Sequence, residues 1–160
     1  LDTLTNTSLS CVPSFSQFAG IAAMQHDRSY RDECMQEFHR KVQLLVFCLD
    51  AIDGVNCPMP GGSFYVFPSV VAVCNRNQIT SHGLALYLLE GADNRRGVAC
   101  LGGESFGEAG GGFIRMSCAQ NDVRLQEAVV FIAEAIGNTD RIGAYLTAQP
   151  QHRLNEPYEV

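Results

Sequence analysis

The sequence predicts an α+β fold, a small, mostly antiparallel sheet covered by helices. Three observations carry that expectation. Periodic segments follow one another as helix, helix, strand, strand, helix, strand, strand, helix. A chain of 160 residues suffices for one domain with a real core, and neither an internal repeat nor a second core is visible. Hydrophobic residues make up 46% of the chain and charged residues only 18%, below the usual quarter, so much of the surface is expected to be covered.

Residues 1–11 are rich in Thr, Ser and Asn, which predicts a loop with local hydrogen bonds. Pro13 and Ser14 open a helix with Phe15, Phe18, Ala19 and Ala22 on one face. The next helix is the best defined. Tyr30, Cys34, Phe38, Val42, Leu45, Leu49 and Ile52 step by threes and fours, and Gly54 supplies a stop. After a short segment from Val55 to Pro60, Gly61 and Gly62 mark a turn, and Phe64 to Phe67 a strand closed by Pro68. Asn77 to Gly91 reads as a helix centred on Leu84, Leu88 and Leu89. Val98 to Leu101 is a short apolar strand running into the glycine-rich stretch from Gly102 to Gly107. A further strand runs from Gly110 to Ala119. Leu125, Ala128, Val129, Ile132 and Ile136 then define a last helix, capped by Asn121 and ended by Gly137 and Asn138. The expected organisation is a loop and helix over 1–28, a domain over 29–138, and an irregular tail over 139–160, which holds Pro150 and Pro157.

A formal net charge of −6 argues against a nucleic-acid or anionic-membrane partner. No apolar run reaches the roughly 18–20 residues of a membrane span. The N-terminus lacks the layout of a secretory signal, and the chain opens on Leu1 as a segment from the middle of a protein would. Seven cysteines are scattered without a C-x-x-C pair, a pattern that fits reduced, buried thiols in a cytoplasmic protein better than a disulfide framework. His26, His39, His82 and His152 show no ligand spacing, so no metal site is expected.

Most candidate chemistries are weak. The stretch from Gly102 to Gly112 lacks G-K-[ST] and leads into a strand, so a structural turn is expected there and not a phosphate cradle. Ser8, Ser10 and Ser14 lack the context of a nucleophile elbow. A Cys/His pair stays open, with no cysteine singled out. Glu104 and Glu108 lie in the glycine loop and are expected to be solvated. Lys41 is the only lysine; beside His39 and Arg40 on the helix flank it reads as a surface residue and not as a Schiff-base amine. One position differs. Strand alternation puts Ile114, Met116 and Cys118 on one face, and Phe113, Arg115 and Ser117 on the other. A strand-mounted arginine with space in front of it suits bidentate recognition of a carboxylate, although these ten residues alone fit an ordinary exposed arginine more simply.

Several stretches, in order, resemble the C-terminal part of the class I aminotransferases, the fold-type-I pyridoxal-phosphate enzymes. They are Ser10 to Gln17 (SCVPSFSQ) with Ala19 and Gly20, Gly61 to Pro68 (GGSFYVFP), Leu88 to Glu90, and Val98 with Ala99. Gly102 to Gly107, Gly112 to Ala119 (GFIRMSCA), and Leu125 with Glu127 and Ala128 complete the set. They cover roughly residues 5–137 and match the small domain of the family. The resemblance implies that Arg115 binds the α-carboxylate of the substrate, with Ser117 and the glycines at 110–112 supporting it. It implies that Tyr65 packs near the site, and that the loop over 5–10 lies near the active site and a dimer interface. Pyridoxal phosphate is the implied cofactor, an α-amino acid and a 2-oxo acid the implied substrates, and a homodimer the implied form of the full enzyme.

The family's cofactor lysine, and the aspartate, asparagine and tyrosine that hold the pyridine ring, lie N-terminal to everything matched. A missing large domain is therefore implied, and these residues alone are expected to be inactive. No catalytic and no cofactor-binding residue is assigned within the chain. Gly102 stands where the family carries a proline, which implies a looser loop. A carbon–sulfur lyase or a cyclising synthase would share this domain. From a different class, a non-catalytic α+β module could use Arg115 to hold an amino acid or a peptide carboxylate. An exposed apolar patch would mark half of an enzyme, and a sealed polar surface a module.

Overall fold

The structure, a computed structural model, describes residues 12–26 and 28–159. The loop expected over 1–11, with Ser8 and Ser10, lies outside the described residues. The chain falls into two compact units, one through Met35 and one from Gln36 onward. The first contains helix α1 (Ser14–Gln25) and the opening turns of α2 (Ser29–Asp50). Pro13 stands at the N-cap of α1, as its fixed φ favours. Phe15 and Phe18 are exposed, and no described residue of α1 is buried.

The second unit holds the core. The later turns of α2 bury Val42, Leu45 and Leu49, and beyond the helix Gly54 takes φ +83°, the left-handed conformation that ends the run. Three short strands follow: β1 (Tyr65–Val66), β2 (Leu101–Gly102) and β3 (Ile114–Ser117). They form one sheet in the order β1-β3-β2, with both pairings antiparallel. Tyr65 lies opposite Ser117 and Val66 opposite Met116; Leu101 lies opposite Arg115 and Gly102 opposite Ile114. Val66, Ile114, Met116 and Cys118 are buried on the inner face, as the alternation predicts. The helices that cover them contribute Leu84, Leu88, Leu125, Val129, Ile132, Ile142 and Leu146 to the same cluster.

Among the described residues three strands form where four were expected, the strand expected over Val98 to Leu101 is confined to Leu101–Gly102, and two helical elements also differ from the sequence expectation. The helix expected over Asn77 to Gly91 is divided. A valine-rich helix α3 (Val71–Asn77) precedes it, and Gln78 breaks the path at φ +53°. Valine favours strands locally, but here Val71, Val73 and Cys74 are buried by tertiary packing, which outweighs propensity. Thr80 then caps α4 (Ser81–Leu86) by accepting from the Gly83 N–H at 2.9 Å, and the helix widens into a π-turn over Tyr87–Gly91. The second difference lies at the C-terminal end. Behind α5 (Asp122–Gly137), residues Thr139–Ala148 form a helix, α6, where an irregular tail was expected. Asn138 caps it by accepting from the Arg141 N–H at 3.0 Å, and its short apolar face buries only Ile142 and Leu146, too few to stand out in the sequence.

The last residues are tied down by side chains. Asn75 and the Tyr158 backbone exchange two hydrogen bonds, at 2.9 and 3.0 Å. The Tyr158 hydroxyl accepts from the Ser81 N–H at 3.1 Å and donates to Glu104 Oε1 at 2.7 Å. Glu104 is therefore not solvated as expected: Oε1 also accepts from the His82 N–H at 3.3 Å, and Oε2 is buried without a hydrogen-bond partner among the described residues. Burial pushes the Glu104 carboxyl up, but hydrogen bonds led by that from Tyr158 outweigh it and hold the group below the usual carboxylate range. Glu108 is exposed.

Two outcomes follow from these contacts. Tyr87 is fully buried and its hydroxyl donates to the Ala135 carbonyl at 3.1 Å, joining the π-turn to α5. Tyr87→Phe is expected to lower stability by about 1 kcal/mol, read as a reduced urea midpoint at unchanged slope. Glu104 has a depressed folded pKa, so its contribution is present above the unfolded carboxyl value of about 4.3 and is lost as pH falls through the folded value. Glu104→Gln should therefore be less stable than the parent near neutral pH, with the difference closing in acid; parallel melting curves from pH 7 to 3 check this.

Candidate carboxylate-binding face

The outer face of the sheet is built from the glycine loop upward. Gly103 and Gly110 cross so closely that a Cβ on either would lie 2.0 Å from the other's carbonyl oxygen. The Gly103 N–H donates to the Phe113 carbonyl at 2.7 Å, and the Phe113 N–H to the Gly110 carbonyl at 3.1 Å. This crossing folds two short 3₁₀ turns, Gly103–Phe106 and Glu108–Gly110, back onto the start of β3. Gly102 takes φ −63°, the angle a proline would fix, yet a Cβ there would lie 2.4 Å from the His82 Cα. The close approach of the His82 backbone leaves no room there for a side chain.

Arg115 sits on the central strand and faces outward. Its guanidinium carbon lies 4.3 Å from the centroid of the Tyr65 ring and 4.6 Å from that of Phe106. Each such contact contributes roughly 0.5–2 kcal/mol, more as water is excluded. Rings attract the charge but use none of its N–H donors in conventional hydrogen bonds. Among the described residues the Arg115 side chain makes no hydrogen bond and no ion pair, so its five donors stay available in a half-buried setting. The apolar surround continues on one side through Phe67, edge-on to Phe106 at 5.9 Å and stacked on Phe113 at 5.3 Å. On the other side Phe64 lies 4.4 Å from Tyr65 and 5.6 Å from Phe38. Leu101 and Phe106 remain 45% and 50% exposed, so this face is uncovered and apolar.

The structure brings Tyr65 and Arg115 together, as expected of a residue packing near the site. It does not bring Ser117 to Arg115. The Ser117 hydroxyl accepts from the Ala119 N–H at 3.2 Å and finishes the strand. Gly110 closes the loop crossing and Gly112, at φ +81°, lies just ahead of the strand that carries Arg115. Lys41 is more covered than a surface residue, with 19% of its side chain exposed, and its ammonium is 3.8 Å from Glu37 Oε1 on the flank of α2. Phe106 carried no assigned role in the sequence, because a 3₁₀ turn has no long period to mark its direction. Among the described residues, no group of three or more His, Cys, Asp or Glu side chains is placed to hold a metal. Six cysteines there form no disulfide, and burial pushes the Cys74 and Cys100 thiols up to about 12. No described helix is long and apolar enough to cross a membrane.

No family model matches the chain. Individual proteins do. An aspartate aminotransferase of Rhizobium meliloti is 35% identical over 134 residues, covering 79% of this chain and 31% of the relative. An aspartate aminotransferase of Pyrococcus horikoshii is 32% identical over 127 residues, covering 78% and 30%. Among solved structures, the aspartate aminotransferase from Rhizobium meliloti superposes with a TM-score of 0.69 at 32% identity, covering 84% of this chain and 34% of that one. An alanine aminotransferase from Pyrococcus furiosus gives 0.70 at 25% identity, over 85% and 33%. The chain thus spans about a third of the length of the curated relatives it matches. Sequence and fold agree: the chain corresponds to part of an aminotransferase, and its helices and three-stranded antiparallel sheet match the C-terminal small domain of the aminotransferase structures.

Proposed function

We propose that these residues form the substrate-carboxylate-binding part of a pyridoxal-phosphate-dependent aminotransferase, which moves an amino group between an α-amino acid and a 2-oxo acid. The carrying observation is Arg115, an arginine on a rigid strand between two rings, with no acceptor of its own among the described residues. A carboxylate presents two oxygens at the spacing of a guanidinium edge, so the pair is bidentate and fixes the orientation of the bound acid. Orientation is where such a contact contributes to rate, since it holds the reacting carbon in one place.

Pyridoxal phosphate does not fit onto these residues alone. The single lysine is paired with Glu37, and the glycine loop passes into a strand and not into a helix N-terminus that would receive a phosphate. In this reading the lysine and the groups that hold the pyridine ring come from outside the present residues, and the cofactor, when bound, supplies the electron sink for the chemistry. The exposed Leu101 and Phe106 support a face that another part of the enzyme covers; a self-sufficient module would seal them. By the family resemblance, the whole enzyme in this reading is a homodimer. The six described cysteines, none of them in a disulfide, fit a cytoplasmic, reducing compartment.

Titrating the ¹⁵N-labelled chain with a 2-oxo acid should shift the Arg115 Nε–H signal saturably. Arg115→Lys should weaken binding roughly 10–100-fold, the range for losing a charge-assisted bidentate contact. An unperturbed Arg115 signal at saturating acid overturns the assignment. Incubation with pyridoxal phosphate, borohydride reduction and intact mass analysis should show no stoichiometric adduct on Lys41. One adduct per chain at that residue would place the cofactor lysine within these residues.

A further inference from the structure

We propose that Tyr158 is a positioning residue for Arg115, acting through Glu104 and the turn that carries Phe106. This rests on the reading of Arg115 as the carboxylate anchor. Tyr158 lies far from Arg115 in sequence, and its side chain meets the glycine loop at both ends. At the start of the loop its hydroxyl donates to Glu104 Oε1 at 2.7 Å. At the end its ring lies against Gly111 and Gly112, where added Cβ atoms would come within 2.9 and 3.3 Å of ring carbons. The Ser81 N–H donates to the same hydroxyl, and the Ser81 hydroxyl accepts from the Gly112 N–H at 3.0 Å. One phenol therefore joins both ends of the segment 104–112.

Phe106 lies within that segment, two residues after Glu104 in the same 3₁₀ turn, and its ring is one of the two against the guanidinium. The other ring, Tyr65, is carried by β1 and is fixed by the sheet. Phe106 has no strand to hold it, and Gly107, directly after it, takes φ +119°, so the turn draws its order from contacts outside it: the Phe67 ring edge-on at 5.9 Å, the Gly103–Gly110 crossing and, through Glu104, Tyr158. Asn75 supplies the far anchor by gripping the Tyr158 backbone in both directions. Burial and the Glu104 contact push the phenol's pKa up while Glu104 is held low, so the proton remains on Tyr158 and the donor direction is kept through neutral pH.

The test uses the 160-residue chain, with two readouts. The first is the Arg115 Nε–H chemical shift without ligand, which senses the ring currents of Tyr65 and Phe106; the second is the affinity for a 2-oxo acid. Tyr158→Phe and Glu104→Ala should both move the Arg115 signal in the direction set by Phe106→Ala, and weaken binding roughly threefold to tenfold, the scale of one lost hydrogen bond. Glu104→Gln keeps an acceptor for the phenol and should retain most of the parent shift. Tyr87→Phe, which lowers stability away from this path, should leave the signal in place. If Phe106→Ala moves the Arg115 signal while the folded Tyr158→Phe and Glu104→Ala chains leave shift and affinity as in the parent, the coupling is overturned; should Tyr158→Phe not fold, Glu104→Ala decides alone. Unchanged affinity in Arg115→Ala would instead overturn the carboxylate reading, and the ligand-free shifts would still decide the coupling.

Discussion

The architecture depends on β3, the strand that pairs on both sides. Its alternation divides the sheet into a sealed inner face and an open outer one. Inward, Ile114 and Met116 lie under helices, and the burial of such side chains supplies most of the stabilisation of the second unit. Outward, the same strand presents Arg115. Strength and site therefore share four residues. The glycine crossing just before them, between Gly103 and Gly110, lets a loop return to the sheet closely enough to set a ring against the guanidinium.

Much of this was legible in the sequence, and the reasons are particular. The steps from Val42 to Leu49 and from Leu125 to Ile136 are long enough for a 3.6-residue period to declare itself, and Asn121 marks the start of α5 with its side chain. The alternation around Arg115 needs only six residues, because a two-residue period repeats quickly. Other elements were hidden by physics that acts over distance. Valines at 71 and 73 speak locally for a strand and become helical only because the core receives them. Thr139–Ala148 shows too small an apolar face to signal a helix. Glu104 looked like a loop carboxylate, since its partner Tyr158 is 54 residues away.

The candidate site was legible in part. Arg115 stood out from the strand pattern, Tyr65 was named only through the family resemblance, and the two lie together with the guanidinium carbon 4.3 Å from the ring centroid. Ser117 shared their face, but a shared face does not make a contact; its hydroxyl turns to the chain's own backbone. Phe106 and the Tyr158 tie needed coordinates. Both act through turns, where side-chain direction follows from individual backbone angles and from no repeat that a sequence could display.

The two rings beside Arg115 come from opposite sides of the sheet: Tyr65 from the edge strand β1, and Phe106 from the turn that follows the other edge strand, β2. A slip of β1 by one residue would turn Tyr65 into the core and present Val66 in its place. The aromatic cage is thus a proofreader of strand alignment. Chains with a slipped β1, even compact and helical ones, would leave the arginine with the Phe106 ring alone, so the proposed carboxylate recognition would favour molecules whose sheet had assembled correctly.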